Sequence, residues 1–138
     1  MTNQPKFFLC KHCNNLMHLI NASGVPVVCC GETMAELIAN TVDAAVEKHL
    51  PMVKAAQQCV CGCTCGSALA IEVGSVHHPM LAEHYIDFLY VQTENGGKLH
   101  RLSVGGEPTA TICCCDGKPV AVYAYCNLHG MWKTDDVA

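Results

Sequence analysis

The sequence has few charged residues and no concentration of positive charge. Aspartate, glutamate, lysine and arginine make up 14 % of its 138 residues, and the formal net charge is −4. Proteins that bind nucleic acid or an anionic membrane through charge carry a basic patch, so the composition argues against both kinds of partner. Hydrophobic residues make up 51 %, which is typical of a compact globular protein.

Long apolar segments are also missing. No uncharged apolar segment approaches the ~20 residues that a transmembrane helix needs, so no membrane span is predicted. The first six residues, from Met1 to Lys6, contain no apolar segment of the kind found in a signal peptide. The protein is therefore expected in the cytoplasm.

Cysteine, by contrast, is in excess, with 12 copies. In a secreted protein, this number would predict a framework of disulfides. Because no export signal is predicted, a reducing compartment is favoured, and clustered cysteines there usually bind metal. The positions of the clusters therefore indicate where metal sites are expected.

Residues 1–37 are predicted to form a small domain stabilised by a metal. So few residues cannot bury a sufficient hydrophobic core by themselves. A C-x-x-C motif and a later adjacent cysteine pair supply four thiolates, which is the set for a tetrahedral site: Cys10, Cys13, Cys29 and Cys30. Two structural disulfides or a zinc ribbon are the alternatives, although an ordinary zinc ribbon has C-x-x-C on both sides.

The remainder of the chain changes from an ambiguous segment to a β pattern. Residues 32–50 have the apolar periodicity of a helix, and they equally fit a linker with a short helix around residues 43–47. After residue 51, short strands separated by Gly- and Pro-containing turns predict a β-sandwich. The predicted strands are 68–73, 85–92, 98–104, 109–115 and 120–125.

A second set of metal-binding residue types lies in this β region. Cys126 and His129 are three residues apart and can reach one metal ion from a single turn. Three further histidines, in the segments Glu47 to Pro51, His78-Pro79-Met80 and Glu83-His84-Tyr85, are His49, His78 and His84. Four imidazoles and one thiolate would give a five-ligand site with one open position, which marks a site that does chemistry.

The motifs also resemble those of a known family. The N-terminal pattern C-x-x-C…C-C-G-E resembles the desulforedoxin domain. Four later segments resemble the two-iron superoxide reductases called desulfoferrodoxins, and they occur in the family's order: residues 43–51, 73–80, 83–86 and 125–132. The resemblance extends over nearly the whole chain.

This resemblance implies a mainly β protein with two metal sites. A rubredoxin/desulforedoxin-like domain at residues 1–37 would be followed by an immunoglobulin-like seven-stranded β-sandwich at residues 38–138. The first iron ion would be bound at centre I, formed by Cys10, Cys13, Cys29 and Cys30. The second would be bound at centre II, with His49, His78, His84 and His129 in the equatorial plane and Cys126 axial. The implied cofactors are two iron ions per chain.

The implied activity is that of a superoxide reductase, in which superoxide is reduced by one electron to hydrogen peroxide. An axial thiolate increases the electron density on iron, which suits this reduction. Lys48 would guide superoxide and organise proton delivery, and Glu47 would occupy the sixth position once the iron is ferric. The family typically forms homodimers, receives electrons from rubredoxin and detoxifies superoxide in anaerobes.

Other functions remain open on the sequence. An electron carrier or metal-binding module would use centre I alone, but it would not need a complete set of four histidines and a cysteine beside Lys48. Metal storage by the surplus cysteines predicts more than two metal ions per chain. Superoxide dismutation would require oxidation of a second superoxide, which a thiolate-ligated site does not favour.

Two features depart from the family pattern. His77 stands where the family has proline, and His78 is preferred as the ligand because Pro79-Met80 follows it. Seven additional cysteines could form a sulfur stripe, bind a soft metal, or replace small apolar residues: Cys59, Cys61, Cys63, Cys65, Cys113, Cys114 and Cys115. Trp132, Tyr85 and Phe88 are expected to be core residues, and His12, His18 and His100 are expected to lie outside any site.

Overall fold

The computed structural model describes residues 4–56, 68–115, 117–135 and 137. The chain divides into two units, Met1–Ile38 and Ala39–Ala138, one residue after the boundary predicted above. The surplus cysteines in the segment 57–67 lie outside the described residues: Cys59, Cys61, Cys63 and Cys65. No helix in the described part of the chain has the length and apolar character needed to cross a membrane.

Unit 1 is built from short strands. They are β1 Lys6–Leu9, β2 Leu16–Leu19, β3 Val28–Cys29, β4 Glu32–Thr33 and β5 Ala35–Glu36. β1 is central in a sheet of order β2-β1-β5, and β3 pairs with β4 in a separate hairpin. Phe7, Cys10 and Met34 are its buried hydrophobic residues among those described. This core is small, which agrees with the expected need for a metal.

The β3–β4 hairpin closes through a two-residue turn, Cys30-Gly31. Cys29 pairs with Glu32 across the hairpin, and φ is +53° at Cys30 and +76° at Gly31. Positive φ at both central residues is characteristic of a type I′ turn, which favours Asn, Asp or Gly. A cysteine at the first of these positions is unusual and places its sulfur beside that of Cys29.

The prediction of a helix over residues 32–50 is wrong. Met34 packs into unit 1, whereas Ile38, Val42 and Val46 are exposed, so the apolar residues of this segment share no buried face. β5 instead pairs with β1. A single short helix, α1 Val46–His49, is found in the described part of this segment, which agrees with the linker alternative.

Unit 2 contains seven strands in its described residues, in two antiparallel sheets. They are β6 Pro51–Ala56, β7 Ala68–Val73, β8 Ile86–Thr93, β9 Gly96–Arg101, β10 Thr109–Cys113, β11 Pro119–Cys126 and β12 Gly130–Thr134. The sheet orders are β10-β7-β6 and β12-β11-β8-β9. The predicted fold class, a mainly β protein with a seven-stranded sandwich, is confirmed.

The hydrophobic core of unit 2 lies between these sheets. Ile71 and Val73 of β7 contribute from one sheet, and Leu89, Val91 and Val122 contribute from the other. Complete burial of such a side chain contributes about 1.5–3 kcal/mol. Cys126 belongs to the same core cluster and is the last residue of β11, so the packed sandwich fixes the position of its sulfur.

The cysteines at the end of β10 and directly after it differ from the expectation of reduced thiols. Cys113 and Cys115 are disulfide-bonded, although clustered cysteines were expected to remain thiols that bind metal. A sulfur in a disulfide is not a thiolate, so the soft-metal interpretation does not apply to these two residues in this state. Cys114 is buried in the sandwich core, as expected of a cysteine that replaces a small apolar residue.

Candidate metal centres

Centre I is formed by two tight turns of unit 1. Cys10 directly follows β1, and its N–H donates to the carbonyl oxygen of Asn15 at 2.9 Å. The N–H of Asn14 donates back to the carbonyl oxygen of Cys10 at 2.8 Å. The β3–β4 hairpin supplies the other two ligands. All four sulfur atoms lie within 4.8 Å of one another: Cys10, Cys13, Cys29 and Cys30.

Local hydrogen bonds favour the thiolate form of Cys10, whereas the side chains of Cys13 and Cys10 raise the pKa values of Cys29 and Cys30. The backbone N–H of Cys13, directed at the Cys10 sulfur, is the main cause that lowers the pKa of Cys10 to about 6. The side-chain amide of Asn15 donates to the Cys29 sulfur at 3.6 Å. Four convergent sulfurs with N–H donors fit a tetrahedral metal ion.

Centre II draws its residues from several elements at one end of the sandwich. His49 ends α1, and His78 and His84 lie between β7 and β8. Cys126 ends β11, and His129 lies in the turn to β12. The candidate ligand atoms of these five residues all lie within 4.8 Å of one another.

The four imidazole rings of centre II surround one point. Neighbouring ring centroids are 4.8 Å apart for His49 and His78, 4.5 Å for His78 and His84, 5.1 Å for His84 and His129, and 4.9 Å for His129 and His49. The diagonal from His49 to His84 is longer, at 6.5 Å. The sulfur of Cys126 lies 3.3 Å from Nε2 of His78 and 3.8 Å from Nδ1 of His129.

Hydrogen bonds show which ring nitrogens are available for a metal. Nδ1 of His49 lies 2.6 Å from the carbonyl oxygen of Ala45, and Nδ1 of His78 lies 2.7 Å from that of Pro79. Donation of these N–H groups leaves the Nε2 lone pairs directed at the centre. Nε2 of His84 is buried and has no hydrogen-bond partner. A metal ion would satisfy this atom, so the residues fit a bound metal.

The charge states of these groups also suit a metal. Burial lowers the pKa values of His49 and His84, and it lowers that of His78 to about 4. These imidazoles are therefore neutral at neutral pH, as metal ligands must be. Burial raises the pKa of the Cys126 thiol, and the N–H groups of Leu128 and His129 oppose this. A coordinated cation stabilises the thiolate directly.

Glu47 and Lys48 lie on α1, next to His49, and both are exposed. No ion pair holds either side chain among the residues that the structure describes. Burial is the main cause of the lowered pKa of His84, and the positive charge of Lys48 adds to it. Lys48 therefore lies within electrostatic range of centre II.

Trp132 has a role that the sequence did not reveal. It is 3 % exposed, as expected of a core residue, but its ring stacks on His49 at a centroid distance of 4.9 Å. Its Nε1–H donates to the carbonyl oxygen of His129 at 3.0 Å. It thus supports two members of centre II, and its position three residues after His129 is the sequence signal.

Gly74 was likewise missed as a residue that positions centre II. A Cβ atom at this position would lie 2.5 Å from the carbonyl oxygen of Glu47 and 3.0 Å from that of Leu50. Glycine therefore allows α1 to pack directly on the loop that follows β7.

His77 lies outside centre II, with Nε2 3.6 Å from a carboxylate oxygen of Glu72.

Comparisons with known proteins agree with this geometry. The desulfoferrodoxin family model matches residues 41–135. A desulfoferrodoxin from Nitratidesulfovibrio vulgaris is 35 % identical over 98 % of this chain and 99 % of its own. A desulfoferrodoxin homolog from Archaeoglobus fulgidus is 32 % identical over 97 % of this chain and 99 % of its own.

Among solved structures, the superoxide reductase from Treponema pallidum is similar over nearly the whole chain. It is 34 % identical, it covers 96 % of this chain and 99 % of its own, and the TM-score is 0.75. The match therefore extends over residues of both units. On the family model and these relatives, the chain belongs to the desulfoferrodoxin family.

Proposed function

We propose that this protein is a superoxide reductase, with centre II as its active site and centre I as a second iron site. The observation that carries the proposal is the convergence of four imidazoles and the sulfur of Cys126, where the buried Nε2 of His84 has no hydrogen-bond partner. Similarity to the superoxide reductase from Treponema pallidum supports it.

The proposed reaction consumes one superoxide, one electron and two protons and forms one hydrogen peroxide. Ferrous iron bound at centre II would supply the electron and an open coordination position. His49, His78, His84 and His129 would bind it as neutral ligands, so they would leave its positive charge available to attract an anion. The N–H of His129, 3.4 Å from the Cys126 sulfur, would stabilise the thiolate.

The proposal is tested by the stoichiometry of the reaction. The iron-loaded protein, supplied with a one-electron reductant, should form one hydrogen peroxide for each superoxide consumed. A dismutase would form one peroxide for every two superoxide ions. An electron carrier or metal-binding module would not accelerate superoxide consumption at all, and that result would overturn the proposal.

Lys48 is proposed to attract superoxide to centre II, because the net charge of −4 repels an anion and attraction must be local. Lys48→Gln should lower the second-order rate constant for superoxide by about tenfold and weaken its dependence on ionic strength. Stopped-flow measurements over a range of salt concentrations test this.

Glu47, the adjacent carboxylate, is proposed to occupy the open position in the ferric protein.

Lys118→Gln is the matched control for Lys48→Gln. Lys118 is also exposed, and it precedes β11, whereas Cys126 ends that strand. Lys118→Gln therefore removes the same positive charge, but at the end of the eight-residue strand β11 that lies opposite Cys126. Equal effects of the two variants would show that only net charge matters and would contradict a steering role.

A homodimer and a rubredoxin-type electron donor are further parts of the proposal. Unit 1 exposes several large apolar side chains: Ile20, Val25 and Val28, which are 79 %, 73 % and 63 % exposed. Such side chains support burial against a second copy of the chain. A donor would deliver electrons one at a time, as the reaction requires.

A further inference from the structure

Asn127 connects the two loops that supply most of centre II. Its side-chain Nδ2 donates to the carbonyl oxygen of Glu83 at 3.0 Å, and its Oδ1 accepts from the N–H of Tyr85 at 2.8 Å. Its own N–H donates to the carbonyl oxygen of Tyr85 at 3.1 Å. These three bonds hold the residues on both sides of His84, and Asn127 itself directly follows Cys126.

His84 has particular need of this support. The rings of His49 and His78 are oriented by Nδ1 contacts with backbone carbonyl oxygens. No such contact orients the His84 ring among the residues that the structure describes, and its Nε2 has no partner. Its main chain exchanges hydrogen bonds with Leu81 at 2.9 and 3.1 Å, which leaves its C-terminal side to be fixed by another group.

We propose that Asn127 is a positioning residue of centre II, which fixes His84 relative to the Cys126 sulfur through its bonds to Glu83 and Tyr85. The inference rests on the proposed occupancy of centre II by iron. Groups that orient metal ligands typically contribute 10–100-fold to metal affinity or activity, about the range expected here. Without Asn127, His84 would occupy its ligand position for a smaller fraction of the time.

The chain offers a matched control in Asn40. Its side-chain amide also makes two hydrogen bonds to backbone, donating to the carbonyl oxygen of Lys133 at 3.1 Å and accepting from the N–H of Lys133 at 2.9 Å. Neither bond reaches a loop that carries His84. Asn40 has φ of +63°, so Asn40→Ala is expected to destabilise unit 2 at least as much as Asn127→Ala.

The experiment compares the iron-loaded wild type with Asn127→Ala, Asn127→Asp and Asn40→Ala. The rate of iron loss from centre II to the ferrous chelator ferrozine and the visible thiolate-to-iron absorption of the ferric protein are measured. Asn127→Ala should lose iron about tenfold faster or more and show a shifted absorption band. Asn127→Asp keeps the acceptor for Tyr85 and should be intermediate. Asn40→Ala should match the wild type, and the centre I absorption should stay unchanged in all.

Two results would overturn the inference. One is an unchanged band and rate in Asn127→Ala, and the other is an equal change in Asn40→Ala, which would indicate a general loss of stability. If Asn127→Ala does not fold, a wild-type rate of iron loss and a wild-type absorption band in Asn127→Asp would contradict the inference. Neither readout requires superoxide. A wild type that binds iron but lacks reductase activity would therefore overturn the proposed function. The role of Asn127 would still be decided by the iron-loss rates and the absorption bands.

Discussion

Cys126→Ser is expected to lower the second-order rate constant for superoxide reduction by at least ~100-fold. Loss of a group that only orients a metal ligand typically costs 10–100-fold, and loss of the ligand itself should cost more. Serine removes the thiolate that increases electron density on the iron. The side chain is fully buried at the end of β11, and among the described residues Cys126 is the cysteine that belongs to centre II. Stopped-flow kinetics and the visible spectrum provide the measurements.

Cys114→Ser is the control for this substitution. Cys114 is buried in the same core cluster, so both variants place a hydroxyl group in an apolar environment, and only one removes a candidate ligand. Cys126→Ser should lose the thiolate absorption of centre II and retain that of centre I, whereas Cys114→Ser should retain both. Full activity in Cys126→Ser would contradict the assignment of the thiolate to the active site.

Gly74→Ala is expected to displace α1 and release iron from centre II. The new Cβ would lie 2.5 Å from the carbonyl oxygen of Glu47 and 3.0 Å from that of Leu50. Both contacts are with backbone atoms, which cannot rotate away as a side chain can. The helix must therefore move, and it carries His49 with it. We expect a loss of about 1–3 kcal/mol in the free energy of unfolding, as for other overpacked sites.

The measurements for Gly74→Ala are iron content per chain and urea denaturation. Gly106→Ala is a suitable control, because its Cβ would meet a single close atom, the carbonyl oxygen of Ser103 at 3.2 Å, and no part of α1. Iron content should fall from two toward one per chain in Gly74→Ala and remain at two in Gly106→Ala. Two tightly bound iron ions in Gly74→Ala would show that α1 tolerates the displacement.

Strands with a clear local pattern could be predicted from the sequence, and others could not. The prediction of a strand at residues 68–73 coincides with β7 Ala68–Val73, because an apolar segment between turn signals has few alternatives. β6 and β12 were not predicted. Each directly follows a candidate metal-binding motif, and the sequence there was interpreted for metal ligands rather than for a strand. The helical periodicity at residues 32–50 was misleading, because Met34 and Val46 belong to different units.

The residues that support centre II could not be predicted for a different reason. Trp132, Asn127 and Gly74 each contact at least one residue that is 24 to 83 positions away in the chain. No local pattern encodes such distances, which arise when the sheets of unit 2 pack. The candidate ligands were accessible from the sequence because their chemistry restricts them to histidine and cysteine in short motifs.

The turn at Cys30-Gly31 has a consequence for how unit 1 reaches its folded state. A non-glycine residue with positive φ is energetically unfavourable, and the β3–β4 hairpin has two residue pairs to offset this. The hairpin's own conformational preference therefore opposes the geometry that brings Cys30 to the other three sulfurs. A metal ion bound by the four cysteines would hold this hairpin closed. We therefore expect unit 1 to be less stable when the metal is removed.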